Sequence, residues 1–323
     1  GFYVSIAEEG YRYQGVPQPS VAFFPLYPLL MRTLGALVGD VLVAGIVIRN
    51  TTLLLATMLL YRLADQSWGQ TVAERTIWYF LIFPAAFFGT AVYSESLFLL
   101  AAIGALYFAR RGYWELAALL GIVASLTRFT GLIVAPMLLA EWWVQRQNRP
   151  AGTRPSLLAP LAAAAVPLGT LAYAAYLNHA FGDPLAFVHG AAAWARQPQY
   201  PLVTIAALLQ TPEGGWWPAL LAGRVHPDNW LDLGFVLVFL ILGLVLLFQR
   251  RWSEGLFVTL GTAVALSSGL LMSQRRYVWV LFPAFILLAQ WGERPWVDRL
   301  VTALSLLFLG IFMALFAKGY WVG

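Results

Sequence analysis

Apolar stretches long enough to cross a lipid bilayer recur along the whole chain. They are rich in leucine and alanine and do not alternate between apolar and polar residues, so they predict helices and not the strands of a membrane barrel. The 323 residues are 60% hydrophobic and only 11% charged, whereas a soluble domain carries about 25% charged residues. The sequence therefore predicts an all-α, polytopic integral membrane protein.

The whole chain, 1–323, is predicted to form one transmembrane domain. Residues 1–39 are predicted to form an external loop whose aromatic and proline-rich segment, Ala22-Phe-Phe-Pro-Leu-Tyr-Pro28, suits the membrane interface. Residues 178–232 are predicted to form a long external loop, and a loop of this length in a compact protein is usually functional or disordered. About ten spans are expected, at 41–63, 76–92, 97–109, 116–126, 131–143, 157–177, 231–248, 256–272, 277–288 and 300–316.

Arginines indicate the side of the membrane on which each short loop lies, because they are enriched in cytoplasmic loops. The groups assigned to the cytoplasm are Arg110–Arg111, Arg146 with Arg149 and Arg154, Arg250–Arg251, and Arg294 with Arg299. Residues 116–143 must then form a hairpin of two short spans, with Arg128 at its outer tip. The arginines form no basic stripe, so no nucleic-acid partner is expected. The chain has no cysteine, which excludes disulfides and thiol chemistry.

Four ionisable residues lie in otherwise apolar sequence, namely Glu95, Arg128, Arg275 and Arg276. A charged side chain in a bilayer is costly and usually lies in a cavity or at a functional site. The predicted topology puts all four near the outer face. Glu95 has three interpretations: an ion pair with Arg128, a residue that positions a substrate hydroxyl, or a general base. For the arginines, anchoring at the headgroup boundary or pairing with acidic residues is the alternative to phosphate binding.

Six motifs occur in an order that resembles the PIG-V-type mannosyltransferases, the family of GPI mannosyltransferase 2, and especially their bacterial relatives. The motifs are Ser5-Ile-Ala-Glu-Glu-Gly-Tyr11, Phe23-Phe-Pro-Leu-Tyr-Pro28, Tyr93-Ser-Glu-Ser-Leu-Phe98, Thr127-Arg-Phe-Thr-Gly131, Phe181-Gly-Asp-Pro-Leu-Ala-Phe187 and Arg276-Tyr-Val-Trp-Val-Leu-Phe-Pro283. Each motif alone has little specificity, and the ordered set carries the resemblance.

The resemblance implies the glycosyltransferase C fold. It also implies transfer of a sugar, with inversion, from a polyprenyl- or dolichyl-phosphate donor to a lipid-linked or surface acceptor at the extracytoplasmic face. Members of the family carry an acidic residue shortly before the Ile-Ala motif, and alignment puts that residue about two positions before Gly1. The chain is therefore expected to be N-terminally truncated. A bacterial plasma membrane is expected, or the endoplasmic reticulum if the source is eukaryotic.

The candidate site residues follow from the cost of charged residues in apolar sequence and from the family resemblance. Glu95, Glu8 and Glu9 are the candidate catalytic carboxylates, although Glu8 and Glu9 also fit a solvated turn. Arg128, Arg275 and Arg276 are the candidates for the donor phosphate, because a guanidinium group matches phosphate oxygens. The candidates for a substrate groove are Tyr11, Phe24, Tyr27, Tyr93 and Asp183. Interfacial aromatics and an Asx turn or helix cap at Asp183 are the alternatives.

No cofactor and no metal ion is expected. His179, His189 and His226 share the long loop with Asp183 and Asp228, but their spacing matches no metal-binding pattern. The partners expected are the bilayer, a lipid-phosphate sugar and a glycan or lipid acceptor. A flippase or transporter of lipid-linked saccharides is one alternative, although such proteins usually show repeated halves and none is evident here. A non-catalytic membrane scaffold is the other.

Overall fold

The computed structural model describes residues 1–148, 158–213, 215–222 and 227–320. These residues form helices and turns and contain no strand, which confirms the all-α prediction. The first helices are α1 (Phe2–Glu9), α2 (Leu26–Val38), α3 (Val41–Trp68), α4 (Gln70–Ile82), α5 (Glu95–Arg110), α6 (Trp114–Thr127), α7 (Val134–Gln147) and α8 (Leu158–Ala165). They are followed by α9 (Leu168–Phe181), α10 (Ala186–Ala191), α11 (Pro201–Leu209), α12 (Trp216–Leu221), α13 (Pro227–Phe248), α14 (Trp252–Leu266), α15 (Gln274–Trp279), α16 (Pro283–Trp291) and α17 (Pro295–Ala317). Short 3-10 segments lie at Ser20–Ala22, Ala86–Thr90, Phe129–Ile133 and Ala192–Trp194.

Four helical segments in the described part are long and apolar enough to cross a membrane: Val41–Trp68, Leu158–Phe181, Asp228–Phe248 and Pro295–Ala317. Only 11% of the apolar window in α17 is buried inside the protein, and Leu300, Leu304, Leu307 and Ile311 are exposed. Such a continuous apolar surface is covered by lipid in a membrane protein. The polytopic membrane prediction is confirmed.

The remaining apolar helices of the described residues are shorter, and the count of about ten spans stays a prediction. Predicted span 76–92 is interrupted because α4 ends at Ile82, just before Pro84, and the residue before a proline disfavours helix. Predicted span 277–288 is divided between α15 and α16, and Pro283 begins the second of these helices. The breaks create ends of helices inside the bundle, where side chains and ligands can reach backbone groups.

Most residues of helix α5 are buried, and the helix packs against α3, α6 and α7. Glu95 is its first residue and Arg110 its last. At 1.5 Å per residue, these ends lie about 22 Å apart. Each end carries a charged side chain that needs partners, and each belongs to a separate ionic cluster.

Helices α6 and α7 form the expected hairpin. Arg128 follows α6 and contacts Glu95 at the start of α5. Near the end of α7, the Gln145 side chain donates a hydrogen bond to the carbonyl oxygen of Ala109, near the end of α5. The two arms therefore run in opposite directions beside α5, and Arg128 lies at the turn between them.

The Arg110 end of α5 forms the first ionic cluster. Arg110 pairs with Glu141 at 3.4 Å and with Glu254 at 3.2 Å, and both carboxylates are buried. Arg251 also pairs with Glu254 and donates a hydrogen bond to Gln290. A surface cavity of about 390 Å³ adjoins Gln290 at this end. Arg110, Arg251 and the last turns of α7 thus lie together, and their cytoplasmic location stays a prediction. Arg149 and Arg154 lie outside the described residues.

Candidate functional site

The second ionic cluster lies at the opposite end of α5 and joins three of the residues singled out in the sequence. Arg128 Nη1 lies 2.6 Å from Glu95 Oε1, and Arg276 Nε lies 2.6 Å from the same oxygen. The Glu95 side chain is 1% exposed, and those of Arg128 and Arg276 are 11% and 9% exposed. We call Glu95, Arg128 and Arg276 the arginine–glutamate cluster. Residues separated by up to 181 positions therefore meet in one buried site.

The local fold explains why these three side chains meet. Glu95 begins a helix, where a negative charge is favoured by the helix dipole. Arg128 leaves α6 in an extended conformation, with φ −154° and ψ 148°, before the 3-10 segment that follows. Arg276 lies on α15, the short helix produced by the interruption before Pro283. Each residue thus lies at a helix end or on a short helix that the breaks create.

The cluster carries more positive than negative charge. Both guanidinium groups contact Oε1 of Glu95, and the buried Oε2 has no hydrogen-bond partner in the described part of the chain. Two cations against one carboxylate leave one unbalanced positive charge. Because an unbalanced buried charge is costly, this arrangement favours an anionic ligand. Oε2 keeps unused capacity to accept a hydrogen bond.

Aromatic side chains surround the cluster. The Arg276 guanidinium carbon lies 4.4 Å from the Tyr93 ring centroid and 5.7 Å from that of Tyr277. The Arg128 guanidinium carbon lies 5.5 Å from the Tyr277 ring centroid. Cations near ring faces are stabilised by the ring quadrupole, which helps to keep the arginines charged inside the protein.

Tyr3 and Ser94 extend the cluster toward the N-terminal segment. The Tyr3 hydroxyl and the Ser94 hydroxyl are 2.9 Å apart and buried. Arg128 Nη1 lies 3.5 Å from Ser94 Oγ, at the long limit of a hydrogen bond. The Tyr3 ring packs edge to face against Tyr27 and Tyr93. Two of the predicted groove residues, Tyr27 and Tyr93, thus lie beside the cluster.

Tyr11 and Phe24 belong to a neighbouring apolar cluster. The Tyr11 hydroxyl donates a hydrogen bond to the Phe23 carbonyl oxygen at 2.7 Å. Phe24 is buried against Tyr173 and Phe187. These contacts account for both side chains structurally, and their use as a substrate groove stays a prediction.

Arg275 has a different set of partners from Arg276. Its Nε lies 3.0 Å from Asp232 Oδ1, and its Nη2 lies 3.1 Å from Asp228 Oδ1. Consecutive residues on a helix point in directions about 100° apart, so two adjacent arginines need not share a site. The structure therefore does not bring Arg275 to Glu95. It gives Arg275 acidic partners, as the alternative interpretation expects, and the assignment of Arg275 to the donor phosphate stays a prediction. Asp232, which is 1% exposed, was not among the predicted site residues.

Glu8 and Glu9 lie at the end of α1, and both are exposed. Glu9 pairs with Arg12 at 2.6 Å, with side chains 51% and 62% exposed. The structure thus gives both residues the solvated position that was the alternative interpretation. Their assignment as catalytic carboxylates stays a prediction.

Asp183 forms the expected Asx turn, because its Oδ1 accepts a hydrogen bond from the Leu185 N–H at 3.0 Å. Its Oδ2 is hydrogen-bonded to His189 Nδ1 and to the Tyr13 hydroxyl, each at 2.7 Å. The hydrogen bonds with His189 and Tyr13 hold the pKa of the Asp183 carboxyl below its ordinary value. Asp183 therefore links the N-terminal segment to the loop after α9. His226 lies outside the described residues.

Residues at or beside the cluster that sequence reasoning missed include Tyr3, Ser94, Arg196 and Tyr277. Ser94 and Tyr277 are adjacent to Glu95 and Arg276 within the quoted motifs, which was the available signal. Nothing in the sequence indicates that Tyr3 or Arg196 lies nearby, because their positions depend on how distant segments pack.

Comparison with known proteins agrees with the motifs. A family model described as Mannosyltransferase (PIG-V) matches residues 1–144, which include Glu95 and Arg128. No curated protein and no solved structure matches the chain. The resemblance to the PIG-V-type mannosyltransferases, a family of membrane glycosyltransferases, is therefore confirmed over the first 144 residues of this chain.

Proposed function

We propose that this protein transfers a sugar, mannose by family resemblance, from a polyprenyl- or dolichyl-phosphate donor to a lipid-linked or surface acceptor. The reaction inverts the anomeric carbon and takes place at the extracytoplasmic face of the membrane. The observation that carries the proposal is the arginine–glutamate cluster, with two buried guanidinium groups on one carboxylate oxygen. The family match supports the glycosyltransferase part of the proposal.

Arg128 and Arg276 are proposed to bind the phosphate of the donor. A guanidinium group stays charged at any physiological pH and presents several N–H donors to phosphate oxygens. When the sugar leaves, negative charge develops on the phosphate oxygen to which it was attached. Fixed cations at that point stabilise the transition state more than the bound donor.

Glu95 is proposed to position both the arginines and the acceptor. Its Oε1 holds the two guanidinium groups, while its Oε2 can accept a hydrogen bond from an acceptor hydroxyl. Two adjacent cations favour the charged carboxylate and make Glu95 a weak base. A separate carboxylate is therefore the better candidate for removing the acceptor proton. We propose no cofactor and no metal ion.

The proposed location is the plasma membrane of a bacterium, or the endoplasmic reticulum of a eukaryote. The clusters at the two ends of α5 support an arrangement in which Arg110 faces the cytoplasm and Glu95 the opposite side. Cysteine substitutions at exposed positions near each end, labelled with an impermeant reagent in intact cells, test this orientation. Labelling from outside only at the Arg110 end would contradict it.

The function is tested with the intact protein in proteoliposomes and a set of radiolabelled polyprenyl-phosphate sugars. Transfer of mannose to a lipid or glycan acceptor is expected. Arg276→Gln should reduce turnover at least about 100-fold, the loss typical of removing one transition-state donor. Arg299→Gln, an identical change at an exposed position on α17, is the matched control and should retain turnover. Wild-type-like turnover by Arg276→Gln would show that Arg276 is not part of the site. Absence of transfer from every donor by the wild-type protein would contradict the proposed function.

A further inference from the structure

A third arginine approaches the cluster from the long loop. The Arg196 guanidinium carbon lies 5.0 Å from the centroid of the Tyr277 ring. The corresponding distances for Arg128 and Arg276 are 5.5 Å and 5.7 Å. Three guanidinium groups, from three separate parts of the chain, therefore surround one tyrosine ring.

Hydrogen bonds hold this part of the loop against the end of α14. The Gln197 N–H donates to the Ser268 carbonyl oxygen at 3.2 Å, and the Gln199 N–H donates to the Ser267 carbonyl oxygen at 3.0 Å. Arg196 Nη2 itself donates to the carbonyl oxygen of Met272 at 3.2 Å. The position of Arg196 is thus fixed by backbone contacts that involve no acidic side chain.

The backbone immediately before Arg196 adopts a sparsely populated conformation. Ala195 has φ 55°, in the left-handed region that non-glycine residues rarely occupy. Such conformations persist where the surrounding structure requires them, and they concentrate at functional sites. Here the conformation turns the chain so that Arg196 approaches Tyr277.

The charges at this site do not balance. Arg128, Arg196 and Arg276 supply three positive charges, and in the described part of the chain the ion-pair partner among them is Glu95 alone. Three positive charges and one negative charge leave two positive charges for a ligand. Arg275 belongs to a separate group with Asp228 and Asp232. That group has one net negative charge, and the Asp228 carboxylate, which is 54% exposed, is screened by solvent.

The charge of a lipid phosphate changes during the proposed reaction. The acceptor oxygen forms a bond to the anomeric carbon, and the bond from that carbon to the phosphate oxygen breaks. The electron pair stays on the phosphate oxygen, and the acceptor proton goes to a base or to water. The donor is a phosphodiester with one negative charge, whereas the released lipid phosphate is a monoester with a charge of about −1.5 to −2 at neutral pH.

We propose that Arg196 is a binding residue for the leaving lipid phosphate, and that the three arginines around Tyr277 select the monoester product over the diester donor. This inference rests on the proposed function and specifies which phosphate species the site matches. Two unbalanced positive charges match the dianionic product and the charge that develops in the transition state. The site therefore accelerates cleavage of the bond between the anomeric carbon and the phosphate oxygen. It also makes the enzyme sensitive to inhibition by its lipid-phosphate product.

The test compares two probes that differ by one methyl ester and therefore in phosphate charge: farnesyl phosphate, a monoester, and methyl farnesyl phosphate, the corresponding diester. Binding of each is measured by calorimetry to the intact protein in nanodiscs at neutral pH. Farnesyl phosphate is expected to bind at least about tenfold more tightly, the effect of one added charged hydrogen bond. Arg196→Gln should weaken the monoester about 10- to 100-fold and the diester less than about threefold. Arg299→Gln should change neither affinity.

Each outcome has a defined meaning. Equal binding of both probes by the wild-type protein overturns the proposed selectivity without needing any variant. Equal weakening of both probes by Arg196→Gln, or no weakening of either, removes Arg196 from product selection and leaves the proposed function intact. If the wild-type protein binds neither probe, both the inference and the lipid-phosphate donor are wrong. Arg196→Lys, which keeps the charge and lacks the planar fork, should retain part of the preference.

Discussion

Glu95→Gln gives the most direct measure of how much the buried ionic site contributes to the fold. The change keeps the size of the side chain and removes its charge. In the wild-type protein, the Arg128 and Arg276 guanidinium groups each lie 2.6 Å from Glu95 Oε1. The variant leaves both groups without an anion. Removing one partner of a buried ion pair typically costs about 3–5 kcal/mol. We expect the free energy of unfolding to fall by that amount.

A matched control is available at the protein surface. Glu9 and Arg12 have the same 2.6 Å separation, but their side chains are 51% and 62% exposed. An exposed pair contributes about 0–1 kcal/mol, so Glu9→Gln should change the free energy of unfolding by no more than this. The two variants thus compare pairs of equal geometry and different burial.

Both variants are measured by reversible unfolding in mixed micelles, followed by tryptophan fluorescence and by loss of helical circular dichroism. A double-mutant cycle with Arg276→Gln isolates the coupling between Glu95 and Arg276. If Glu95→Gln lowers the free energy of unfolding by less than about 1 kcal/mol, like its surface control, the burial argument fails. In that case water or an ion already compensates the arginines.

Three further predictions concern other parts of the molecule. Arg275→Met should lower the free energy of unfolding by about 3–5 kcal/mol, because buried Asp232 loses its partner. Adding Asp232→Asn, which removes the charge and keeps an oxygen that can accept from a backbone N–H, should recover part of the loss; no recovery would contradict this reasoning. Gly131→Ala should lower the free energy of unfolding by about 1–3 kcal/mol, since the added Cβ would overlap backbone atoms of α6. At the control position, the Cβ of Gly234→Ala meets no neighbour, so this change should leave the free energy of unfolding unchanged or raise it by up to about 1 kcal/mol. The pKa of the Asp183 carboxyl is lowered in the folded protein. The Asp183 carboxylate therefore stabilises the fold fully above the unfolded pKa of about 3.9, and this contribution is lost as pH falls through the lower pKa of the folded state. The difference in unfolding free energy between wild type and Asp183→Asn should therefore narrow in acid, and a constant difference would refute the linkage.

The membrane class, the helical fold and the hairpin at Arg128 follow from the sequence because they depend on apolar length and on the cost of charge in lipid. The same cost predicts that Glu95, Arg128 and Arg276 share a site, since few arrangements allow three buried charges. Hydropathy alone, however, does not resolve where helices break. The breaks before Pro84 and Pro283 depend on local backbone sterics, and they shorten spans that composition makes continuous.

The remaining features of the site depend on packing between distant segments. Arg275 and Arg276 are adjacent in the sequence and have the same chemistry, but the turn of α15 directs them to different carboxylates. Arg196 belongs to a loop whose placement is decided by hydrogen bonds to the end of α14. Neither periodicity nor composition carries this information. The third arginine is therefore visible only once the chain is folded.

Helix α5 is anchored at both ends by charge, through Glu95 at one end and Arg110 at the other. Sliding the helix by a single residue, about 1.5 Å, would separate ions at both anchors at once. The core of the bundle is thus a fixed frame, unsuited to the rocking by which carriers open alternately to each side. Any motion of α5 would therefore have to carry α7, α14 and the residues Arg128 and Arg276 with it.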